Sequence, residues 1–153
     1  MFVTNHALAG AAIGAVVRRP VPAFVAGVAS HVLMDMAPHF GGLDVDGPEF
    51  LRAARVDGTV GLGVAAVVAA VAPPTMRRSA LAGLAGACLI DLDKPGRHFF
   101  DRSPFPAAVD RFHARIQNEV PHGHWTEAAT AAALVVAVGA AFRYRRRRGR
   151  AVA

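Results

Sequence analysis

The chain has 153 residues, of which 54% are hydrophobic, and a mean hydropathy of +0.35. This length suits one domain with a buried core, and the abundance of small apolar residues favours closely packed helices over strands. The net charge of +6 comes from the C-terminal segment RYRRRRGR, because its arginines are the excess over an otherwise balanced chain. A single cysteine, Cys88, excludes an intramolecular disulfide and a thiolate metal site.

Prolines and polar turns divide the chain into five apolar segments of helical length. We expect helices over about 5–17, 21–36, 49–72, 79–91 and 127–142. A shorter amphipathic helix is predicted between Ser103 and Val120, where apolar residues recur at three- and four-residue spacing. The sequence therefore predicts an all-α protein, an up-and-down bundle over residues 1–142 followed by a basic tail over 143–153.

The distribution of arginines predicts that this bundle is embedded in a membrane. Each apolar segment is about 13–17 residues long, short of the roughly 20 that a full span needs. However, the basic residues of 18–20, 73–78 and the tail all fall at one end of the bundle, as the positive-inside rule requires. We expect a multi-pass protein of the bacterial inner membrane, with its N-terminus outside and its C-terminus cytoplasmic. The alternative is a soluble, alanine-rich bundle.

Histidine and aspartate side chains gather at the opposite end of the predicted bundle, as metal ligands do. They are His6, His31, Asp35, His39, Asp57, Asp91, Asp93, His122 and His124. His31 and Asp35 lie four residues apart, so they share a helix face and their side chains can bind one cation. In an apolar helix such ionisable residues are costly and are usually paired or functional. The alternative is a helix pair that is only hydrogen-bonded.

Two further positions carry carboxylates that fit a metal site. Asp57 lies where the third helix becomes apolar, either as a ligand that points into the bundle or as an aspartate favoured near a helix start. Asp91 and Asp93 close the fourth helix, where their charge opposes the helix dipole, so a metal ion would explain them. Salt bridges to Lys94 and Arg97 are the competing explanation.

Three histidines complete the predicted site. His6 opens the first helix and is expected to complete the metal shell. We expect His113, beside the apolar stripe of the short helix, or His124, in the segment HGHWTE, to transfer protons. Mixed histidine and aspartate ligands suit zinc, or manganese and iron where carboxylates dominate, and several carboxylates allow one or two ions.

The residues NHALAG near the start, SHVLMDMAPH, Asp57 entering an apolar helix and LIDLD together resemble a bacterial family. It is the LexA-binding, inner membrane-associated metal-dependent hydrolases, which are distantly similar to zinc-dependent phospholipase C and the S1/P1 nucleases. The resemblance implies metal ligands at His6, His31, Asp35, Asp57 and Asp91. The chain departs from the family pattern in two places, because Pro-Asp-x-Asp reads IDLD here and a Thr-His-Ser element is missing.

These observations predict a membrane-bound, metal-dependent hydrolase that acts on a phosphoester of a lipid or a nucleotide, with membrane lipids as its partners. A non-enzymatic polytopic membrane protein is the alternative, either a metal-binding scaffold or a protein that docks a partner through its arginine tail. The tail also resembles a nucleic-acid contact. We do not expect that role, since arginines beside an apolar helix more often fix membrane topology.

Overall fold

A computed structural model describes residues 1–43, 47–121 and 123–150. Across these residues the chain is all-helical, as predicted, with seven α-helices. In chain order, α1 to α7 are Val3–Val17, Pro20–Asp35, Pro48–Val71, Pro74–Cys88, Asp93–Phe100, Ala107–Ile116 and His124–Arg150. A 3-10 turn, Ile90–Leu92, joins α4 to α5. Two short strands, β1 (His39–Phe40) and β2 (Glu119–Val120), pair in parallel.

All five predicted apolar helices are present, but several boundaries differ. α4 begins at Pro74 rather than near residue 79, because proline is well tolerated in the first turn of a helix. The short predicted helix is confined to α6, since the backbone becomes extended at Gln117. The additional helix α5 lies in a segment that the sequence left without an element, and α7 continues through the basic tail to Arg150.

Glycines bring α1, α2 and α4 into direct backbone contact. A Cβ atom at Gly10 of α1 or at Gly27 of α2 would collide with the carbonyl group of Gly83 in α4. A Cβ atom at Gly14 would meet Ser79 in the same way. Small residues at these crossings let the three helices approach more closely than side chains would allow. This trio is the framework of the molecule.

The hydrophobic core lies at the end of the bundle away from the predicted ligands. It is formed by Ala11, Ala15, Val68, Ala72, Met76, Ala80, Val138 and Phe142. At the opposite end, the first turn of α1 lies beside the last turns of α2 and α4 and the first turn of α7. Polar contacts between these segments show this arrangement. Consecutive long helices therefore run in opposite directions, which collects the predicted ligands at one end.

Two helices within the described residues are long and apolar enough to cross a membrane, namely α3 and residues His124–Arg148 of α7. Only 11% of the most apolar window of α3 and 17% of that of α7 is buried in the protein. Leu62 on α3 and Val136 on α7, for example, are 75% and 70% exposed. Each helix thus presents an apolar face to its surroundings. The predicted multi-pass topology stays a prediction.

Candidate metal centre

Side chains from four elements meet in the interior of the ligand-rich end. Each of the five is at most 7% exposed: His6 on α1, His31 and Asp35 on α2, Asp91 in the 3-10 turn, and His113 on α6. Within the described residues they form two groups whose potential ligand atoms lie within 4.8 Å of one another. His31 belongs to both groups. The structure therefore brings together four of the five predicted metal ligands and adds His113.

The first group consists of His31, Asp35 and His113. Asp35 Oδ2 lies 3.1 Å from His31 Nε2 and 3.3 Å from His113 Nε2. The two Nε2 atoms are themselves 3.3 Å apart. Three potential ligand atoms thus converge on one point, and all three side chains are buried.

The outer nitrogens of both imidazoles are held by oxygen acceptors. His31 Nδ1 donates to the carbonyl oxygen of Ala87 at 2.7 Å, and His113 Nδ1 donates to Asp93 Oδ2 at 3.0 Å. In a neutral ring these bonds place the proton on Nδ1 and leave the Nε2 lone pair free to bind a cation. Such outer hydrogen bonds are a regular feature of histidines that bind metals. Asp93, which the sequence predicts to lie near the metal, thus contacts the Nδ1 side of the His113 ring, opposite the Nε2 atom that faces Asp35.

The second group consists of His6, His31 and Asp91. His6 Nε2 lies 3.9 Å from Asp91 Oδ2, and the rings of His6 and His31 stack with centroids 4.1 Å apart. Within the part of the chain that the structure describes, Asp91 Oδ2 and His6 Nδ1 have no hydrogen-bond partner. An unpaired buried carboxylate oxygen is costly, so the second group fits a bound cation.

Asp35 connects the two groups. Its Oδ2 faces the first group, while its Oδ1 lies 3.1 Å from His6 Nε2 and 2.9 Å from the amino group of Met1. A carboxylate that presents a different oxygen to each group has the geometry of a bridging ligand. The arrangement accordingly accommodates one ion or two.

Neighbouring groups outweigh the effect of burial on the pKa values of Asp91 and His113. Burial by itself raises the pKa of Asp91, but the positive charge of Lys94 and the nearby histidines lower it to about 2. Burial lowers the pKa of His113, but hydrogen bonds to Asp35 and Asp93 outweigh it and raise the pKa to about 9. His113 therefore holds protons on both ring nitrogens near neutral pH when no cation is bound, and a metal ion at Nε2 would have to displace one of them.

The competing salt-bridge explanation holds for one of the two predicted partners. Lys94 Nζ lies 2.8 Å from Asp91 Oδ1, so part of the charge of this carboxylate is neutralised. Arg97 instead pairs with Asp110 at 2.6 Å. Asp91 thus has one oxygen on a lysine and one that points toward the histidines.

Sequence reasoning missed Gln117. Its Nε2 atom lies 2.8 Å from Asp35 Oδ2 and 2.7 Å from His113 Nε2. Its Oε1 atom is 3.0 Å from His39 Nε2, so the predicted residue His39 reaches the centre only through this amide. The four-residue spacing between His113 and Gln117 is the signal that would have identified it.

Neither Asp57 nor His124 belongs to either group. The carboxylate of Asp57 accepts hydrogen bonds from the backbone amides of Val3, at 2.6 Å, and Thr4, at 3.1 Å. It therefore caps α1 from a neighbouring helix, which places the start of α1 two residues before the predicted one. His124 is exposed and its ring packs on Phe40, with centroids 3.7 Å apart. The predicted residue His122 lies outside the described residues.

Comparison of the chain with protein-family models, with curated proteins and with solved structures gave no match. A proposal for the function therefore rests on the arrangement of the side chains in the site.

Proposed function

We propose that the chain is a membrane-bound, metal-dependent hydrolase that acts on a phosphoester. Its divalent metal is held by the two groups defined above. The observation that carries the proposal is the pair of Nε2 atoms, from His31 and His113, that face Asp35 Oδ2 while oxygen acceptors hold both Nδ1 atoms. Without a cation, these Nε2 atoms are at the distance at which they donate to Asp35, and a cation that takes the place of their protons would be bound by the same three atoms.

The donor set selects the class of metal. Imidazole nitrogens with one or two carboxylates suit zinc, and they also suit manganese or iron. Asp35 bridges the groups, so a second ion would share it with His6 and Asp91. An ion in the second group would use the Asp91 Oδ2 atom that has no hydrogen-bond partner within the described residues.

Hydrolysis follows from what these residues place beside one another. A divalent cation held here supplies Lewis-acid polarisation of a phosphoester oxygen and acidifies a water molecule. Lys94, half-buried and 2.8 Å from Asp91, adds a positive charge that stabilises an anionic phosphate. Asp93 keeps His113 in one orientation. In this proposal His113 is a ligand rather than the proton carrier that the sequence predicted.

The exposed apolar faces of α3 and α7 support the membrane assignment. A core helix of a soluble protein is mostly buried, whereas these two helices are mostly exposed along their apolar windows. Exposed apolar surface of this extent marks contact with a lipid bilayer or a partner. The arginine-rich ends would then lie at the cytoplasmic face and the metal centre at the outer face. The resemblance to LexA-binding, inner membrane-associated hydrolases supports the same assignment.

Elemental analysis of the detergent-purified protein tests the proposal. We expect one or two equivalents of zinc, manganese or iron in the wild type, none in a His31→Ala/Asp35→Ala variant, and hydrolysis of a simple phosphoester that the same variant loses. His98→Ala, which changes an exposed histidine outside both groups, is the matched control and should keep its metal. A folded wild type that stays free of metal after supplementation would overturn the proposal.

A metal-binding scaffold without turnover is the second candidate. The salt bridge from Lys94 favours it, because this bond already satisfies one oxygen of Asp91 and partly neutralises a carboxylate that a catalytic metal would need. Stoichiometric metal together with no hydrolysis of any phosphoester would favour the scaffold over the enzyme.

A further inference from the structure

A cavity of about 630 Å³ adjoins the metal centre, between α3 and the helices α1 and α4. Most of its wall is apolar, and the larger apolar side chains that line it include Phe2, Val3, Phe50, Leu62, Leu84 and Phe99. Asp91 of the second ligand group and its partner Lys94 line the same cavity. The charged pair Asp91 and Lys94 thus lies in the same cavity as the apolar side chains.

The inner face of α3 forms much of this wall. Leu51, Ala54, Gly58, Leu62 and Ala65 line the cavity and follow one another at the three- or four-residue spacing of a helix face. The residues that alternate with them, such as Val56, Val60 and Val67, are exposed and apolar. Leu62, which lines the cavity, is itself 75% exposed, so the cavity is open to the surroundings along this part of α3, next to the surface that we assign to the bilayer.

We infer that this cavity holds the hydrocarbon chain of the substrate, and that the substrate class is a lipid phosphoester. The inference rests on the proposed function. A cavity of this volume and apolar character is typical of a ligand site. An alkyl chain gains free energy when apolar walls remove it from water. The base and ribose of a nucleotide, in contrast, need polar partners, and the polar side chains of the lining form the smaller part of its wall; they include Arg55, Asp57, Thr59, Lys94, His98 and Glu119.

The charges on the lining position the other half of such a substrate. Lys94 carries three N–H donors, of which one points to Asp91, and its side chain is 39% exposed. Arg55 lines the cavity as well. A phosphate at Lys94 would lie beside Asp91, while its alkyl chain extends along the face of α3. The cavity thereby selects the lipid over the nucleotide.

Binding of non-hydrolysable alkylphosphonates tests this inference without relying on turnover. The probes are methyl-, butyl-, hexyl- and octylphosphonate, titrated calorimetrically into metal-loaded protein that is kept in an amphipathic polymer so that no detergent chain competes. We expect Kd to fall by about fourfold for each added methylene until the cavity is filled. Methylphosphonate reports the phosphate contact alone.

Two neighbouring alanines of α3 supply a matched pair of variants. Ala65 lines the cavity, whereas Ala66 is exposed and does not. Ala65→Phe should remove most of the chain-length dependence and leave methylphosphonate binding unchanged, while Ala66→Phe should behave as the wild type. Retained metal content and helical circular dichroism show that each variant is folded.

A wild-type Kd that does not depend on chain length would overturn the inference, as would equal effects of the two variants. Both results are independent of the proposed function, which is tested by metal content and by hydrolysis of a short phosphoester. Absence of metal or of hydrolysis, with chain-length dependence intact, would instead leave a lipid-binding cavity beside an inactive centre and overturn the enzymatic proposal.

Discussion

Asp93 Oδ2 accepts a hydrogen bond from His113 Nδ1 at 3.0 Å, and the Asp93 side chain is only 13% exposed. The carboxylate is thus on the far side of the ring from Asp35. It fixes both the orientation of the imidazole and the nitrogen that carries its proton. In the proposed metal centre Asp93 is therefore a positioning residue, which would act on the metal through His113.

Asp93→Ala should weaken metal binding without abolishing it. Loss of such an outer partner typically lowers metal affinity by about 10- to 100-fold. Competition with a chelating dye would measure the dissociation constant. Asp110→Ala is the matched control, because Asp110 lies on the same helix as His113 but pairs with Arg97. Equal affinity in the Asp93 variant and the wild type would remove the positioning role.

Asp57→Ala should destabilise the protein and leave its metal content unchanged. The carboxylate satisfies two backbone amides at the start of α1, and loss of a helix cap costs about 0.5–2 kcal/mol of the free energy of unfolding. Asp57→Asn keeps an acceptor oxygen and should lose less. Thermal unfolding and elemental analysis of the same samples measure both quantities. A folded variant that lacks metal would restore the ligand role predicted from the sequence.

Gly83→Ala should be among the most destabilising small substitutions in this chain. The added methyl group would collide with the backbone of Gly10 and approach that of Gly14, and overpacking of this kind costs about 1–3 kcal/mol. Gly63→Ala on α3 meets open space, so it should instead stabilise the helix by roughly 0.5–1 kcal/mol. Unfolding midpoints of the two variants, measured in the same detergent, should therefore move in opposite directions.

The proposed topology predicts which end of the protein a membrane-impermeant thiol reagent can reach in intact cells. In a Cys88→Ala background, Thr126→Cys near the metal centre should be labelled, and Arg147→Cys in the basic segment should not. Labelling after the cells are opened provides the control for reactivity. The reverse pattern would invert the orientation, and labelling of both positions would contradict insertion.

Much of the helical framework could be predicted because its signals are local. Prolines and apolar runs mark the five long helices, and the four-residue spacing of His31 and Asp35 identifies the centre of the site. α5 could not be predicted in this way, since DKPGRHFF is only eight residues long and contains Pro95 and Gly96, the two residue types least favourable in a helix. Its first turn is held in part by the salt bridge between Lys94 and Asp91.

The roles of individual aspartates depend on contacts far apart in the sequence. Asp57 as a ligand and Asp57 as a cap have the same local pattern, and only the approach of Val3 and Thr4 decides between them. The position of His113 likewise depends on the strand pairing, in which the backbone of Asn118 bonds to Asp35 and to His39. No periodicity in the sequence encodes these distances.

The backbone contact of Gly83 with Gly10 and Gly27 also determines how the centre is assembled. It fixes α1, α2 and α4 against one another, and these helices carry or lead directly into His6, His31, Asp35 and Asp91. His113 alone comes from the later segment that contains α6. Helix packing thus positions four of the proposed ligands, and the fifth lies on a part of the chain that is held mainly by hydrogen bonds. In the proposed function, a bound ion would therefore join α6 to three helices that already pack against one another.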